Sequence, residues 1–494
     1  MQVQSMFFER KASEKLNDPR LQENLKRLSS KFVNARATSI LELEDFEGTR
    51  SAAVEIRNRS IKNLDVWLEL FEQKAAETGA KVLFARTPQE AAQLVVKIAK
   101  KHSVKSVIKS KSMVTEEMAL NKALEAADVK VRETDLGEYI LQINDNERPS
   151  HIIAPVVHKD KEQVADLFEK HHHLPRKTDI AEMTREAREI LRPQFLAADM
   201  GVTGGNFIIA ETGSVALVTN EGNEGMCTIN PRVHVAITGV EKVVPTLEDF
   251  ATLIRLLPRS ATGQSISNYV SLLTGPKREG DLDGPEHMYF VILDGGRTGL
   301  LGGEFEEMLR CIKCGACMNH CPVYQKIGGH AYGWVYPGPM GSVLTPSYTG
   351  IEKALDLPQA ATLCGECHVV CPVKIPLPDL LRKLREQQFS RGLRPWQEKA
   401  AFKASLDQFN TMAVQFDNKV REKDKTACAS FMLHANAYLA AGRDIIQRTE
   451  DGTYAKDRKN GASFQMMKPK AVEDAETLLQ TYNSVINDLN VSQC

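Results

Sequence analysis

The chain has 494 residues, 42% of them hydrophobic and 26% charged, with a formal net charge of −1. That is the profile of a soluble globular protein of about three domains at roughly 150 residues each, and the near-zero charge gives no long-range pull on nucleic acid or anionic lipid. No apolar run reaches the ~18 residues needed to span a bilayer, and MQVQSMFFERKASEKLNDPR lacks the apolar region and cleavage site of a secretory leader. The expectation is a cytoplasmic protein with no nucleic-acid partner and no transmembrane segment, peripheral to a membrane only through other proteins.

Residues 1–60 are charged and free of strand-like runs; LQENLKRLSSKFVNARA has helical spacing of apolar residues and reads as helix packed on the next domain. Over 61–300 short β-rich runs alternate with amphipathic helices. TPQEAAQLVVKIAKKH opens with a Thr-x-x-Glu capping box at Thr87 and Glu90. KSVIKS reads as a strand, VTEEMALNKALEAA as a helix, VKVRETD, HIIAPVV and MYFVILDGG as strands, and PTLEDFATLIRLL as a capped helix. This alternation predicts an α/β domain with a largely parallel sheet. Within it, FIIA and SVALVTN, joined through Glu211, Thr212 and Gly213, read as a hairpin. Past about 300 the strands disappear. Residues 301–388 carry the cysteines, and 389–494 read as a helical C-terminal domain, with Pro395 suited to a first helical turn.

Seven of the ten cysteines lie between Cys311 and Cys371. In a reducing compartment such crowding reads as metal binding rather than disulfides. CIKCGACMNHCPV places Cys311, Cys314, Cys317 and Cys321 in the C-x2-C-x2-C-x3-C-P spacing of a ferredoxin, ahead of Pro322. Iron in such clusters needs soft, anionic sulfur, a spacing of three lets one loop reach several corners of a cube, and Gly315 permits close backbone approach. The second run, ATLCGECHVVCPV, supplies Cys364, Cys367 and Cys371 but has Ala361 where its first thiolate would stand.

In two-cluster ferredoxins the fourth cysteine of each run serves the other cluster. One [4Fe–4S] cluster is therefore expected on Cys311, Cys314, Cys317 and Cys371, and a three-thiolate cluster on Cys321, Cys364 and Cys367, with its open corner at Ala361. The second is either [3Fe–4S], or [4Fe–4S] with water, hydroxide or a side chain such as His368 on the fourth iron, or a cube completed by Cys227, Cys428 or Cys494. The favoured reading has no fourth cysteine. Zinc fits the runs poorly, because it uses paired C-x2-C knuckles. Two centres so joined make an electron wire, without substrate chemistry of their own.

ETDLGEYILQI, ETGSVALVTNEGN and GVEKVVPTLEDF, followed by RCIKCGACMNHCPVY and LCGECHVVCPVKIPL, together resemble the bacterial lactate-utilisation protein B family over nearly the whole chain. The resemblance implies an iron–sulfur subunit that acts with two companion proteins in oxidising L-lactate to pyruvate, passing electrons to an acceptor still unknown. It implies an α/β domain related to the sugar-phosphate isomerase and CoA-transferase fold group. It also implies the same ligand sets, Cys311, Cys314, Cys317 and Cys371 beside Cys321, Cys364 and Cys367, and a second run that is one cysteine short throughout the family.

GVTGGNFIIA has glycines that precede a strand rather than follow one, so no dinucleotide fingerprint is present and catalysis by the chain alone is not expected. The alternatives are a ferredoxin-like subunit of another 2-hydroxy-acid or glycerol-phosphate dehydrogenase, and a CoA- or acyl-transferase-like enzyme with an appended redox module. For the latter, Glu211 on its tight turn is the weak catalytic candidate, against a solvated or amide-capping role. EKHHHLP (169–175) reads as a solvated loop rather than a metal site, and KSKSM (109–113) as a basic surface turn rather than an anion site.

Overall fold

Near-continuous burial along most of the strands leads to a sheet covered on both faces. The structure, a computed structural model, describes residues 3–394. Its strands are β1 (Lys81–Ala85), β2 (Ser106–Lys109), β3 (Lys130–Glu133), β4 (Met200–Thr203), β5 (Phe207–Ile209), β6 (Ser214–Thr219), β7 (Val233–Gly239), β8 (Val243–Val244), β9 (Tyr269–Leu273) and β10 (His287–Leu293). Six of them form an all-parallel sheet in the order β1-β10-β7-β4-β2-β3. A second sheet runs β8-β5-β6-β9, with β5 and β6 paired as the expected antiparallel hairpin.

Alternate residues of the central strands feed two apolar layers. Val233, Val235 and Ile237 of β7 and Tyr289, Val291 and Leu293 of β10 face Ala91, Val95 and Ile98 of the helix Pro88–Lys101. On the other side Met288, Phe290 and Ile292 meet Phe71 and Ala75 of the helix Leu64–Glu77 and Ile208, Val215 and Leu217 of the small sheet. Each fully buried apolar side chain stabilises the fold by roughly 1.5–3 kcal/mol. Thr87 caps Pro88–Lys101 by accepting from Glu90 N at 3.2 Å, while the Glu90 carboxylate takes the Arg86 amide at 2.8 Å.

Two elements differ from their sequence reading. HIIAPVV forms bends and turns, not a strand. The His151 Nδ1 accepts from its own downstream amides, Ile153 N at 3.0 Å and Ala154 N at 3.1 Å, a local bond that competes with a strand ladder. VTEEMALNKALEAA splits into Met113–Glu117 and Leu120–Glu125, because Ala119 turns left-handed at φ 51; Glu117, at the end of the first helix, is buried.

Residues Met1–Leu381 form one compact unit that holds both cysteine runs, and Arg382–Cys494 a second. The N-terminal helices Pro19–Leu41 and Phe46–Lys62 start at Asp18 and Asp45, whose carboxylates accept from Leu21 N and Gly48 N. Pro19–Leu41 packs on the helix Leu247–Ala261 of the α/β domain and also on the short helices Ala316–Asn319 and Tyr324–Ile327 of the cysteine segment. No strand follows Leu293 among the described residues. The expected helical C-terminal domain lies outside the described residues from 395 onward, as do Cys428 and Cys494. Among the described residues no helix is long and apolar enough to cross a membrane.

The chain passes from β2 to the edge strand β3 and then crosses back to β4, on the other side of β2. The loops leaving β2 and β4 therefore part in opposite directions, opening a crevice at the carboxyl ends of the strands, where open parallel sheets bind ligands.

Candidate iron–sulfur centre and adjoining cavity

The two cysteine runs repeat one backbone at an offset of 50 residues: 314 corresponds to 364, 317 to 367 and 321 to 371. Lys313 and Leu363 share a left-handed φ of 59 and 58, and Gly315 and Gly365 share φ values of 79 and 86. Each glycine is followed by one helical turn, Ala316–Asn319 or Glu366–Val369. By this repeat Ala361 occupies the position of Cys311.

The thiols fall into two electrostatic groups. Cys314, Cys317 and Cys371 act on one another and on Cys311, whereas Cys321 and Cys367 act on Cys364; Cys317 and Cys367 connect the groups. Burial, then mutual repulsion, pushes the Cys314 and Cys367 thiols up to about 12 and Cys371 to about 11. Crowded thiols of this kind become thiolates when a metal supplies the compensating charge. The backbone is prepared for that state: Lys313 N donates to Cys311 Sγ at 3.4 Å and Ile375 N to Cys371 Sγ at 3.3 Å, the sulfur hydrogen bonds that tune iron–sulfur centres. Among the described residues, the group of three ligand-type side chains whose atoms all lie within 4.8 Å is Glu147, His158 and His330, not cysteines. No three of the sulfurs therefore lie as close together as the ~3.8 Å edge implied by Zn–S bonds of about 2.3 Å. The residues fit clusters better than a single zinc ion.

Basic side chains from the N-terminal helices lie beside Cys311, Cys314 and Cys371. Arg50 donates to the Cys371 carbonyl from Nε at 3.1 Å and Nη2 at 2.7 Å, and to the Val369 carbonyl at 2.9 Å. Arg36 reaches the Val370 carbonyl at 3.1 Å and interacts with Cys314 and Cys371. Arg57, fully buried, donates to the Leu309 carbonyl at 2.9 Å and faces Cys311. Cys321 and Cys367 instead interact with backbone amides and other cysteines. These arginines escaped the sequence reading. Arg50 and Arg57, seven residues apart, lie two turns apart on one buried helix face with Ala53 and Ser60, a stripe of arginine among small residues that was the available signal.

A buried ion-pair network joins the cysteine segment to the sheet. Arg297, just past β10, pairs with Glu117 at 2.7 Å and with Glu241 at 2.7 Å. Glu117 accepts from Tyr336, and Tyr348 stacks under the guanidinium at 4.8 Å. His151 Nε2 binds Asn319 Oδ1 at 2.9 Å, between Cys317 and Cys321, and burial holds this histidine down at about 4.

A cavity of about 390 Å³ opens in the crevice between β2 and β4, lined by Lys111, Glu224, Lys242, Lys313 and Tyr336 among others. KSKSM forms one wall rather than a surface turn: Lys109 is buried and pairs with Glu133 at 2.9 Å, and Lys111 donates to the Ile153 carbonyl at 3.1 Å. Burial would lower Lys111, but Glu138 and Asp135 outweigh it and raise it. Burial lifts Glu224 to about 7 and draws Lys242 down to about 8 against the pull of Glu241.

The remaining candidates separate from these sites. Cys227 is buried in the α/β domain, 3.4 Å from Thr134 Oγ1 and pushed up to about 12 by burial. Glu211 is exposed and accepts from Leu247 N at 2.9 Å, capping the helix Leu247–Ala261. His368 is exposed, with Nδ1 3.0 Å from the Ile375 carbonyl. His172 of the triple-histidine run is not solvated; it bridges Glu186 at 2.6 Å and Tyr139 at 2.8 Å.

Comparison with known proteins gives a consistent picture. A LUD domain matches residues 68–293, a 4Fe-4S dicluster domain residues 307–375, and a protein family of unknown function, DUF3829, residues 377–491. Lactate utilization protein B of Geobacillus kaustophilus is 45% identical over 405 residues, 82% of this chain and 85% of that one. The protein of the same name from Shouchella clausii is 46% identical over 378 residues, 76% of this chain and 80% of that one. A crystal structure of a DUF162 family protein from Deinococcus radiodurans covers 47% of this chain and 98% of that one, at 12% identity and a TM-score of 0.26, too slight a likeness to bear on the fold.

Proposed function

The chain belongs to the lactate utilization protein B family of lactate-utilisation iron–sulfur proteins, and from that premise we propose that it is the electron-transfer subunit of a complex oxidising L-lactate to pyruvate with two companion proteins. The observation that supports the reading is the 50-residue repeat, which aligns Ala361 with Cys311, beside interactions of Cys371 with Cys311 and Cys314 and of Cys367 with Cys321 and Cys364. One centre is assigned to Cys311, Cys314, Cys317 and Cys371, the other to Cys321, Cys364 and Cys367 with no fourth cysteine. Bound clusters supply one-electron oxidation and reduction. The chain's own residues hold them through thiolates, donate amide hydrogens to sulfur, and offset the anionic charge through Arg36, Arg50 and Arg57.

The α/β domain is read as a relative of the sugar-phosphate isomerase and CoA-transferase group, a reading supported by a cavity at the carboxyl ends of its parallel strands. Glu211, exposed and capping a helix, is not among the residues that line that cavity. The test is reconstitution. Anaerobically purified chain with its two partners should reduce a dye in the presence of L-lactate, and the chain alone, clusters intact, should not. Robust lactate oxidation by the isolated chain would overturn the assignment.

A further inference from the structure

The cavity beside the Cys311 loop is lined by a buried ammonium that no side chain pairs directly. Lys242 is only 6% exposed and lines the cavity. It makes no hydrogen bond or ion pair among the described residues: its neighbour Glu241 is turned toward Arg297 at 2.7 Å. A buried ammonium without a partner is costly, and such groups are normally paired or hydrogen-bonded. Lys313 lines the same cavity with its Nζ 4.5 Å from the centre of the Tyr336 ring, and it is close enough to Lys242 for the two to repel. Two ammonium groups thus converge where the carboxylate that attracts both, Glu241, makes its direct ion pair with Arg297 instead.

A second orphan group lines this cavity. Asn223 Oδ1 is buried without a hydrogen-bond partner, although its Nδ2 donates to Thr134 Oγ1 at 3.3 Å. An unpaired buried acceptor calls for a donor in the ligand. The chemistry missing from the cavity is therefore an anion together with a hydroxyl.

We propose that this cavity binds a small 2-hydroxy carboxylate, its carboxylate held by Lys242 and Lys313 and its hydroxyl donated to Asn223. The identity of the acid as lactate rests on the lactate-oxidising reading above; the call for an anion bearing a hydroxyl comes from the cavity itself. The site lies at the point where the chain reverses direction across the parallel sheet, the usual ligand crevice of such sheets, and Lys313 stands between two cysteines of the four-thiolate centre. The subunit that carries electrons would thereby also hold the acid beside the first electron carrier.

The experiment is calorimetric titration of the anaerobic, cluster-loaded protein with L-lactate and with propionate, which lacks the hydroxyl. L-lactate should bind more tightly than propionate, and Lys242→Gln should weaken L-lactate binding by about 10- to 100-fold, the worth of one charge-assisted hydrogen bond, at unchanged iron content. Because Lys242→Gln may disturb folding, the unaltered protein provides a second readout: L-lactate should shift the electron paramagnetic resonance signal of the reduced Cys311 centre and leave the other signal in place. Absence of binding, equal binding of propionate, or an unaffected Lys242→Gln variant would overturn the assignment. If the reconstituted complex still reduced dye with lactate in that case, the electron-transfer reading would stand and only the cavity's ligand would be wrong.

Discussion

The two cysteine runs are one backbone placed in two environments. Positions 313 and 363 share their left-handed turn, and 315 and 365 share the next. Around the group that includes Cys311, three arginines from the N-terminal helices bind carbonyls or face sulfur, and Cys314 and Cys371 are buried. Around the other group Cys364 is exposed, and Ala361 removes one thiolate. With clusters bound as proposed, both arrangements would favour the reduced state by different means: cations nearby in the first, one anionic ligand fewer in the second. Local spacing builds a cluster-binding loop, and its surroundings then decide how tightly the iron is held.

The largest expected effect breaks the crossing itself. Cys371→Ser, although it sits in the second run, should destroy the centre of the first run and remove about half of the bound iron. Cys321→Ser, in the first run, should destroy the other centre. Iron analysis with electron paramagnetic resonance on anaerobic protein separates the outcomes. If Cys371→Ser spared the first centre, the assignment by crossing would fail.

Next in size is repair of the open corner. Ala361→Cys adds a single sulfur at the position that the 50-residue repeat aligns with Cys311. Mildly oxidised wild-type protein should show a [3Fe–4S] signal, which should weaken in Ala361→Cys as the centre becomes a stable cube of lower potential. If Cys428→Ser or Cys494→Ser abolished a stable second cube, a distant thiol would be filling that corner.

A smaller effect tests the arginines. Arg50→Met removes one cation and the donors to the Cys371 and Val369 carbonyls. At an effective dielectric of ~20 and a few ångströms, one charge is worth a shift on the order of 100 mV, so the potential of the first centre should fall by up to that amount. The second centre should hardly move. Redox titration followed by spectroscopy checks both, and equal shifts would contradict the difference in surroundings.

What could be read in the sequence was what depends on near neighbours. The thiolate spacing, the missing cysteine at 361, the hairpin through Glu211–Gly213 and the capped helices all follow from residues a few positions apart. What depends on distant residues was hidden: Arg50 meets the Cys371 carbonyl across 321 positions, and the cavity gathers Lys111, Glu224, Lys242 and Lys313 from four separate segments. HIIAPVV misled because its buried Ile152 and half-buried valines have a strand's composition, while His151 uses the backbone amides and anchors Asn319 of the first run. KSKSM misled because lysines and serines suggest solvent, yet Lys109 is completely buried and paired.

The smallest expected effect sharpens the claim that the two runs share one backbone. Gly315 and Gly365 both sit at positive φ, 79 and 86, where an L side chain costs roughly 1–2 kcal/mol. A Cβ at Gly315 would meet Ile153 and Met318 at 3.4 Å, ordinary contact, and one at Gly365 would meet nothing within 4 Å. Space therefore distinguishes the positions little, and backbone strain should dominate at both. Gly315→Ala and Gly365→Ala are expected to destabilise the anaerobic, cluster-loaded protein by similar amounts, ~1–2 kcal/mol each, in urea unfolding. Asparagine tolerates the left-handed region better, so Gly315→Asn and Gly365→Asn should cost less than the alanine variants. A penalty confined to the buried run would mean that packing, not a common turn, holds Cys314 in place, and the alignment of Ala361 with Cys311 would lose its structural basis.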